Sequence, residues 1–133
     1  MRISAIVGFT PGNRELALVI GTAVQESVFE VGTTLLSRAK TYCPVDTGAL
    51  RDSIDMTLSD DKRSAVIAPG VPYDAYVEFG TGIRGAASPG AGQFNYDANW
   101  QGMVAQPYLR PALDEVAGTA TATFADNIRG VLR

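Results

Sequence analysis

Apolar residues recur along this chain with two different periods, and each period predicts a type of secondary structure. Residues 2–9 alternate between apolar and other side chains, which predicts a half-buried strand. Across residues 14–42 apolar side chains fall three and four positions apart, which predicts a long helix with one buried stripe. The stripe consists of Leu16, Ile20, Val24, Val28, Val31, Leu35, Ala39 and Tyr42.

Both ends of this long helix carry recognisable signals. Thr10 could cap the helix with Pro11 at its first position, or Asn13 could cap it directly. Pro44 ends it, because a proline pushes the residue before it out of the helical region.

The middle of the chain predicts a β-hairpin. Ile54, Met56 and Leu58 alternate with polar residues, residues 59–63 form a polar turn, and residues 65–68 make the returning strand. Residues 73–79 fit either a strand or a short helix, since their apolar positions satisfy both periods.

The last third of the chain divides into a segment without periodicity and a helix. Residues 80–106 show no period and are rich in glycine, so they predict a long loop with a function or with order acquired on binding. Residues 111–131 predict an amphipathic helix, whose apolar stripe consists of Leu109, Leu113, Val116, Ala120, Phe124, Ile128 and Val131. The whole pattern predicts an α+β fold in a single domain over residues 1–133. A small antiparallel sheet packs against a long N-terminal helix and a C-terminal helix, and a long Gly-rich loop completes the domain.

Charge and hydropathy narrow the class of protein. The net charge is −3, the pI is about 4.8, and the basic residues are scattered, which argues against a dedicated DNA- or RNA-binding protein. No apolar run approaches the roughly 20 residues that span a bilayer. The N-terminus lacks a signal-peptide pattern, so we expect the protein to stay in the compartment where it is made.

Several kinds of chemistry are missing from the sequence. The chain has no histidine and a single cysteine, Cys43, which excludes Ser-His-Asp and Cys-His catalysis and an intrachain disulfide. The carboxylates at positions 52, 55, 60 and 61 follow no metal-loop spacing. We therefore predict no catalytic residue, no cofactor and no metal.

One triplet resembles a catalytic motif. Asp46, Thr47 and Gly48 have the sequence that carries the aspartate of aspartic proteases, which act through two such aspartates that share a proton. Those enzymes place the triplet after an apolar strand, whereas here a helix and a proline precede it. We favour a structural role, in which Asp46 or Thr47 caps a short helical turn at the residues that follow.

A second motif matches by letter only. Residues 80–85 fit the Gly-x-Gly-x-x-Gly dinucleotide fingerprint, but no helix is predicted after them to receive a pyrophosphate. Glu78 lies just before this segment. It is either an exposed residue of a strand or helix, or an interface residue that pairs with Arg84 or Arg110.

Three separated blocks of sequence point to a known family. Residues 43–54 read Cys-Pro-Val-Asp-Thr-Gly-Ala-Leu-Arg-Asp-Ser-Ile, residues 76–81 read Tyr-Val-Glu-Phe-Gly-Thr after Tyr73, and residues 105–113 read Ala-Gln-Pro-Tyr-Leu-Arg-Pro-Ala-Leu. In their order and spacing these blocks resemble a family of tailed-bacteriophage neck and tail proteins, also described as head–tail joining proteins. The family commonly has Phe where this chain has Tyr108.

The resemblance implies a structural virion protein without catalysis. Such a protein would join or complete the tail at the head–tail interface as a homo-oligomeric ring, with about six or twelve copies expected of a closed assembly. It would contact other neck and tail proteins, and genomic DNA would pass through without sequence-specific binding. We expect it to be made in the host cytoplasm, to bind no membrane and to end in the virion.

Residues 80–106 are the predicted assembly element, because aromatic side chains dominate interface energetics. The residues that we assign to the interface are Glu78, Arg84, Phe94, Tyr96, Trp100, Tyr108 and Arg110. Two other functions stay open: a tail terminator or tail assembly factor, and a dimeric aspartic protease that acts through Asp46.

Overall fold

The structure is a computed structural model that describes residues 5–8 and 14–19 as backbone and residues 20–89 and 95–132 in full. Its elements in chain order are β1 (Ala5–Gly8), α1 (Arg14–Tyr42), α2 (Ala49–Ser53), β2 (Asp55–Leu58), β3 (Ser64–Ala68), α3 (Asp74–Phe79), α4 (Gly82–Ala86) and α5 (Leu109–Val131). The predicted cap at Thr10 or Asn13 lies outside the described residues.

The three strands form one antiparallel sheet in the order β1-β3-β2. Ala5 pairs with Ile67 on one side of β3, and Met56 pairs with Ile67 on the other. The central strand therefore alternates between fully buried Ala65 and Ile67 and half-buried neighbours, as expected for a sheet with one covered face.

Helix α1 runs between the sheet and α5. On the sheet side its backbone comes close, since a Cβ on Gly32 would lie 2.6 Å from Met56 Sδ and 3.4 Å from the Ala65 Cβ. On the other side the Asn127 amide of α5 donates to Ser27 Oγ, which is buried, at 3.0 Å. At about 1.5 Å per residue, α1 is roughly 43 Å long and forms the spine of the domain.

The core confirms most of the predicted α1 stripe and part of the α5 stripe. Tyr42 departs from the first, because it is 40% exposed and donates its hydroxyl to Glu115. Leu113 and Val131 depart from the second, because each is 40% exposed and Ala112 takes the inward position instead. The buried apolar cluster comprises Ile20, Val24, Val28, Val31, Leu35, Ala39, Cys43, Leu50, Ile54, Ala65, Ile67, Tyr108, Leu109, Ala112 and Val116.

The predicted α+β class with its two long helices and antiparallel sheet is confirmed. Residues 74–79 form a helix rather than a strand, and α5 begins at Leu109, two residues before the predicted start. The prediction that residues 80–106 form only a loop is wrong for Gly82–Ala86, which is helical. Within the described part of the chain, no helix is long and apolar enough to cross a membrane.

Candidate interaction surface

Glu78 ties α3 to the start of α5. Its carboxylate accepts the backbone N–H groups of Tyr108 and Leu109 on Oε2, at 2.8 and 3.1 Å, and that of Arg110 on Oε1, at 3.0 Å. These are N–H groups that a helix N-terminus leaves without an intrahelical partner, and a negative charge there also complements the helix dipole. Glu78 is only 4% exposed, so it acts inside the chain and fixes the angle between the two helices.

Tyr108 is buried next to this contact. Its side chain has no exposure, and among the described residues its hydroxyl has no hydrogen-bond partner. Burial, followed by the nearby Asp74 and Glu78 carboxylates, raises the pKa of Tyr108 well above its usual value. Burial likewise raises the pKa of the neighbouring Cys43 thiol. The Tyr108 ring therefore packs in the core.

Backbone hydrogen bonds fasten residues 80–88 to residues 100–106. Thr81 and Met103 exchange two N–H···O bonds of 2.9 and 3.0 Å, and Ile83 N donates to Trp100 O at 2.8 Å. Ser88 Oγ accepts from Ala105 N at 3.0 Å. We call this arrangement, residues 80–88 with residues 100–106, the clasp.

Glycines make the clasp possible. A Cβ on Gly102 would lie 1.9 Å from Thr81 O, and one on Gly82 would lie 2.5 Å from Trp100 O. Both residues have positive φ, at +66° and +61°, a region that suits glycine. The Gly-x-Gly-x-x-Gly pattern of residues 80–85 is thus explained by close backbone packing.

The clasp and α3 enclose a groove lined by aromatic rings. Its volume is about 390 Å³, and its walls include Pro72, Tyr76, Phe79, Tyr96, Asp97 and Trp100. Tyr96 is fixed in place because its hydroxyl donates to Phe79 O at 3.0 Å. Tyr76 and Trp100 are 60% and 58% exposed, so they present apolar surface to solvent. We call this feature the aromatic groove.

The aromatic groove belongs to a larger apolar end of the molecule. Of the twelve large apolar side chains that are exposed among the described residues, seven lie on or beside α3 and the clasp. These seven are Val45, Tyr73, Tyr76, Ile83, Trp100, Met103 and Val104. These residues make this end of the molecule the candidate interaction surface.

A second cleft at this end brings the three sequence blocks together. It has a volume of about 430 Å³ and is lined by residues 44–50, Tyr73, Val77, Met103 and Gln106. Gln106 N also donates to Val77 O at 2.8 Å, which joins the second block to the third. Blocks that lie far apart in the sequence thus form one local structure.

The predicted interface residues fall into two groups. Glu78 and Tyr108 are buried, so neither side chain is at the surface, and Glu78 accepts from backbone N–H groups rather than pairing with an arginine side chain. Arg84 and Arg110 are exposed at the apolar end, together with Trp100 and the half-buried Tyr96. Phe94 lies outside the described residues.

Tyr76 is the residue that sequence reasoning missed. It stands in the second block, where residues 73–79 fit either a strand or a helix. The two structures place Tyr76 on different faces, so the sequence does not predict its exposure. In α3, Tyr76 and Phe79 line the aromatic groove while Tyr73 and Val77 line the second cleft.

Neither predicted capping residue is the N-cap of α2, which is Gly48 and has no side-chain cap hydrogen bond. Thr47 Oγ1 accepts from Ala49 N at 3.3 Å, whereas Asp46 is exposed and makes no hydrogen bond within the described part of the chain. The triplet follows a helix rather than an apolar strand, unlike the protease arrangement. Among the described residues no three Cys, Asp or Glu side chains are placed to hold a metal ion.

The chain matches the model of a known protein family. Residues 14–80 match the family described as "Bacteriophage HK97-gp10, putative tail-component", a match over just over half of the 133 residues. No curated protein and no solved structure matches the chain. The chain belongs to this family of phage tail components, which confirms the resemblance inferred from its sequence blocks. Membership implies a structural virion protein that contacts other virion proteins.

Proposed function

We propose that this protein joins or completes the tail at the head–tail interface of a tailed phage, as one subunit of a closed ring. The apolar end carries this proposal, because a structural subunit needs a preformed surface for its neighbours and this end supplies one. Rings arise when one surface of a subunit binds a different surface of the next copy.

The geometry favours assembly over chemistry. Tyr76 and Trp100 expose large rings on a backbone that hydrogen bonds hold in place, so little order has to be gained when a partner binds. Arg84 and Arg110 are charged residues at the same end and suit the polar rim of an interface.

The test compares two exposed aromatic residues. Trp100 is 58% exposed at the apolar end, and Phe29 is 53% exposed on α1 and lines neither of the two clefts. We expect Trp100→Ala to abolish incorporation into phage particles, and Phe29→Ala to leave the copy number per particle unchanged. The copy number is counted in purified virions, and light scattering at several concentrations gives the mass in solution. Equal copy numbers for both variants would contradict the proposal.

The same count separates a virion protein from an assembly factor. A tail assembly factor leaves before maturation and would be absent from virions, whereas a joining protein and a tail terminator would both be present. For the protease, Asp46→Asn is decisive: loss of a cleavage step in infected cells would establish catalysis. We expect normal cleavage and normal assembly, because Asp46 is exposed and makes no hydrogen bond among the described residues.

A further inference from the structure

We propose that the aromatic groove binds a cationic side chain, arginine or lysine, that a neighbouring virion protein presents on an exposed segment. This inference rests on the proposed function, since it names the chemistry of the partner at the same surface.

The lining of the groove suits a cation. The rings of Tyr76, Phe79 and Trp100 carry a negative electrostatic potential on their faces, which attracts guanidinium and ammonium groups. Trp and Tyr, the stronger partners in such contacts, are also the two most exposed rings here, at 58% and 60%.

The charged residues of the groove also favour a cationic ligand. Asp97 lies in its wall, and Asp97 Oδ1 accepts from Asn99 N at 2.8 Å, which holds the carboxylate in position. No lysine or arginine is among the described residues that line the groove, although Arg84 and Arg110 lie at the same end of the molecule. A cation that enters would therefore meet the exposed rings of Tyr76 and Trp100 and the carboxylate of Asp97.

The chain already makes a contact of this type within itself. The guanidinium carbon of Arg110 lies 5.7 Å from the centre of the Phe79 ring. This distance falls within the range of about 6 Å at which a cation is attracted to a ring. Phe79 is thus shared between an internal arginine contact and the wall of the groove.

The experiment uses Trp100 as a built-in reporter, because it is the single tryptophan of the chain. Two acetylated Gly-X-Gly amides serve as probes, with arginine or with citrulline at X. Citrulline has nearly the same shape but no charge. We expect the arginine peptide to change Trp100 fluorescence in a saturable way, and the citrulline peptide to bind about tenfold more weakly.

Variants place the effect in the groove. Asp97→Asn removes the charge, and Tyr76→Leu removes a ring while it retains apolar bulk; each should weaken the arginine peptide about tenfold. Phe29→Leu, the same kind of change at an exposed site outside the groove, should leave its affinity unchanged.

Three outcomes would overturn the inference: no saturable response to the arginine peptide, equal binding of the two peptides, or unchanged affinity in both groove variants. A fluorescence change that follows protein concentration without any peptide would instead show that a second copy occupies the groove. None of these results alters the copy number in virions, so they are distinguishable from failure of the proposed function.

Discussion

Two regions of this molecule are held together by different physical means. In the core, α1 packs its apolar side chains against the sheet and α5, and residues such as Leu35 and Val28 lose all exposure. In the clasp, backbone groups bond directly to backbone groups, and the closest approaches occur at glycines. Burial of apolar area dominates the first region, whereas hydrogen-bond geometry and steric clearance dominate the second.

This difference matters for the surface that each region presents. In the core the apolar side chains are buried against one another, so few of them are exposed. In the clasp the contacts are made by backbone groups, so the side chains can remain at the surface. Trp100, Met103 and Val104 are accordingly exposed, although the chain on which they stand is fixed by hydrogen bonds. Because different groups stabilise the core and the clasp, a stable domain can also expose an apolar surface.

The largest expected effect is in the core. Leu35→Ala should lower the free energy of unfolding by about 4 kcal/mol, because it opens a cavity at a fully buried site. Urea unfolding measures this loss. Labelling of the buried Cys43 thiol should accelerate by roughly a thousandfold, since the thiol reacts only when the core opens. A loss below about 1 kcal/mol would show that the core does not depend on this packing.

A substitution in the clasp should act locally. Gly102→Ala should cost about 3 kcal/mol, because its Cβ would lie 1.9 Å from Thr81 O at a positive φ. Hydrogen exchange should show loss of protection at the Thr81 and Met103 amides, with protection in α1 retained. Gly118→Ala is the matched control: nothing lies within 4 Å of that Cβ, so it should stabilise α5 by up to about 1 kcal/mol. Uniform loss of protection would contradict a separate clasp.

Loss of the Glu78 contact between α3 and the start of α5 should have an intermediate effect on stability. Glu78→Ala removes an acceptor of three backbone N–H groups and should cost about 2 kcal/mol. Thermal unfolding measures it, and Glu26→Ala, at an exposed position on α1, should change stability by less than about 0.5 kcal/mol. Equal effects of the two variants would mean that the Glu78 contact does not hold α5.

The smallest effect is a gain. Tyr108→Phe should stabilise the protein by about 1 kcal/mol at neutral pH, because it removes a buried hydroxyl without a hydrogen-bond partner among the described residues. Tyr76→Phe, at a 60% exposed position, should be neutral. Urea unfolding of both variants tests this, and a loss of stability in Tyr108→Phe would reveal a partner for the hydroxyl.

The same variant gives a pH test. In the folded protein the pKa of Tyr108 is raised above its usual 10.0, so the folded state holds a proton that the unfolded chain releases. Stability should therefore fall as the pH rises above about 10. Tyr108→Phe should remove that part of the alkaline loss.

The long helices, the hairpin and the family could all be inferred from the order of residues alone. Periodicity shows which side chains share one face of an element. Burial of such an apolar face stabilises α1 and β3, so their sequences carry the pattern. The blocks at residues 43–54 and 73–81 also identified the family, because they lie mostly within the region of the match.

The clasp, the burial of Glu78 and the position of Tyr76 became apparent only in the folded chain. The clasp bonds residues about twenty positions apart through groups that every residue possesses, so no side-chain pattern reveals it. Glu78 is buried because its partners are the N–H groups at the start of α5, some thirty residues later. Local sequence encodes which faces are apolar, whereas contacts between distant backbone groups exist only once the chain has folded.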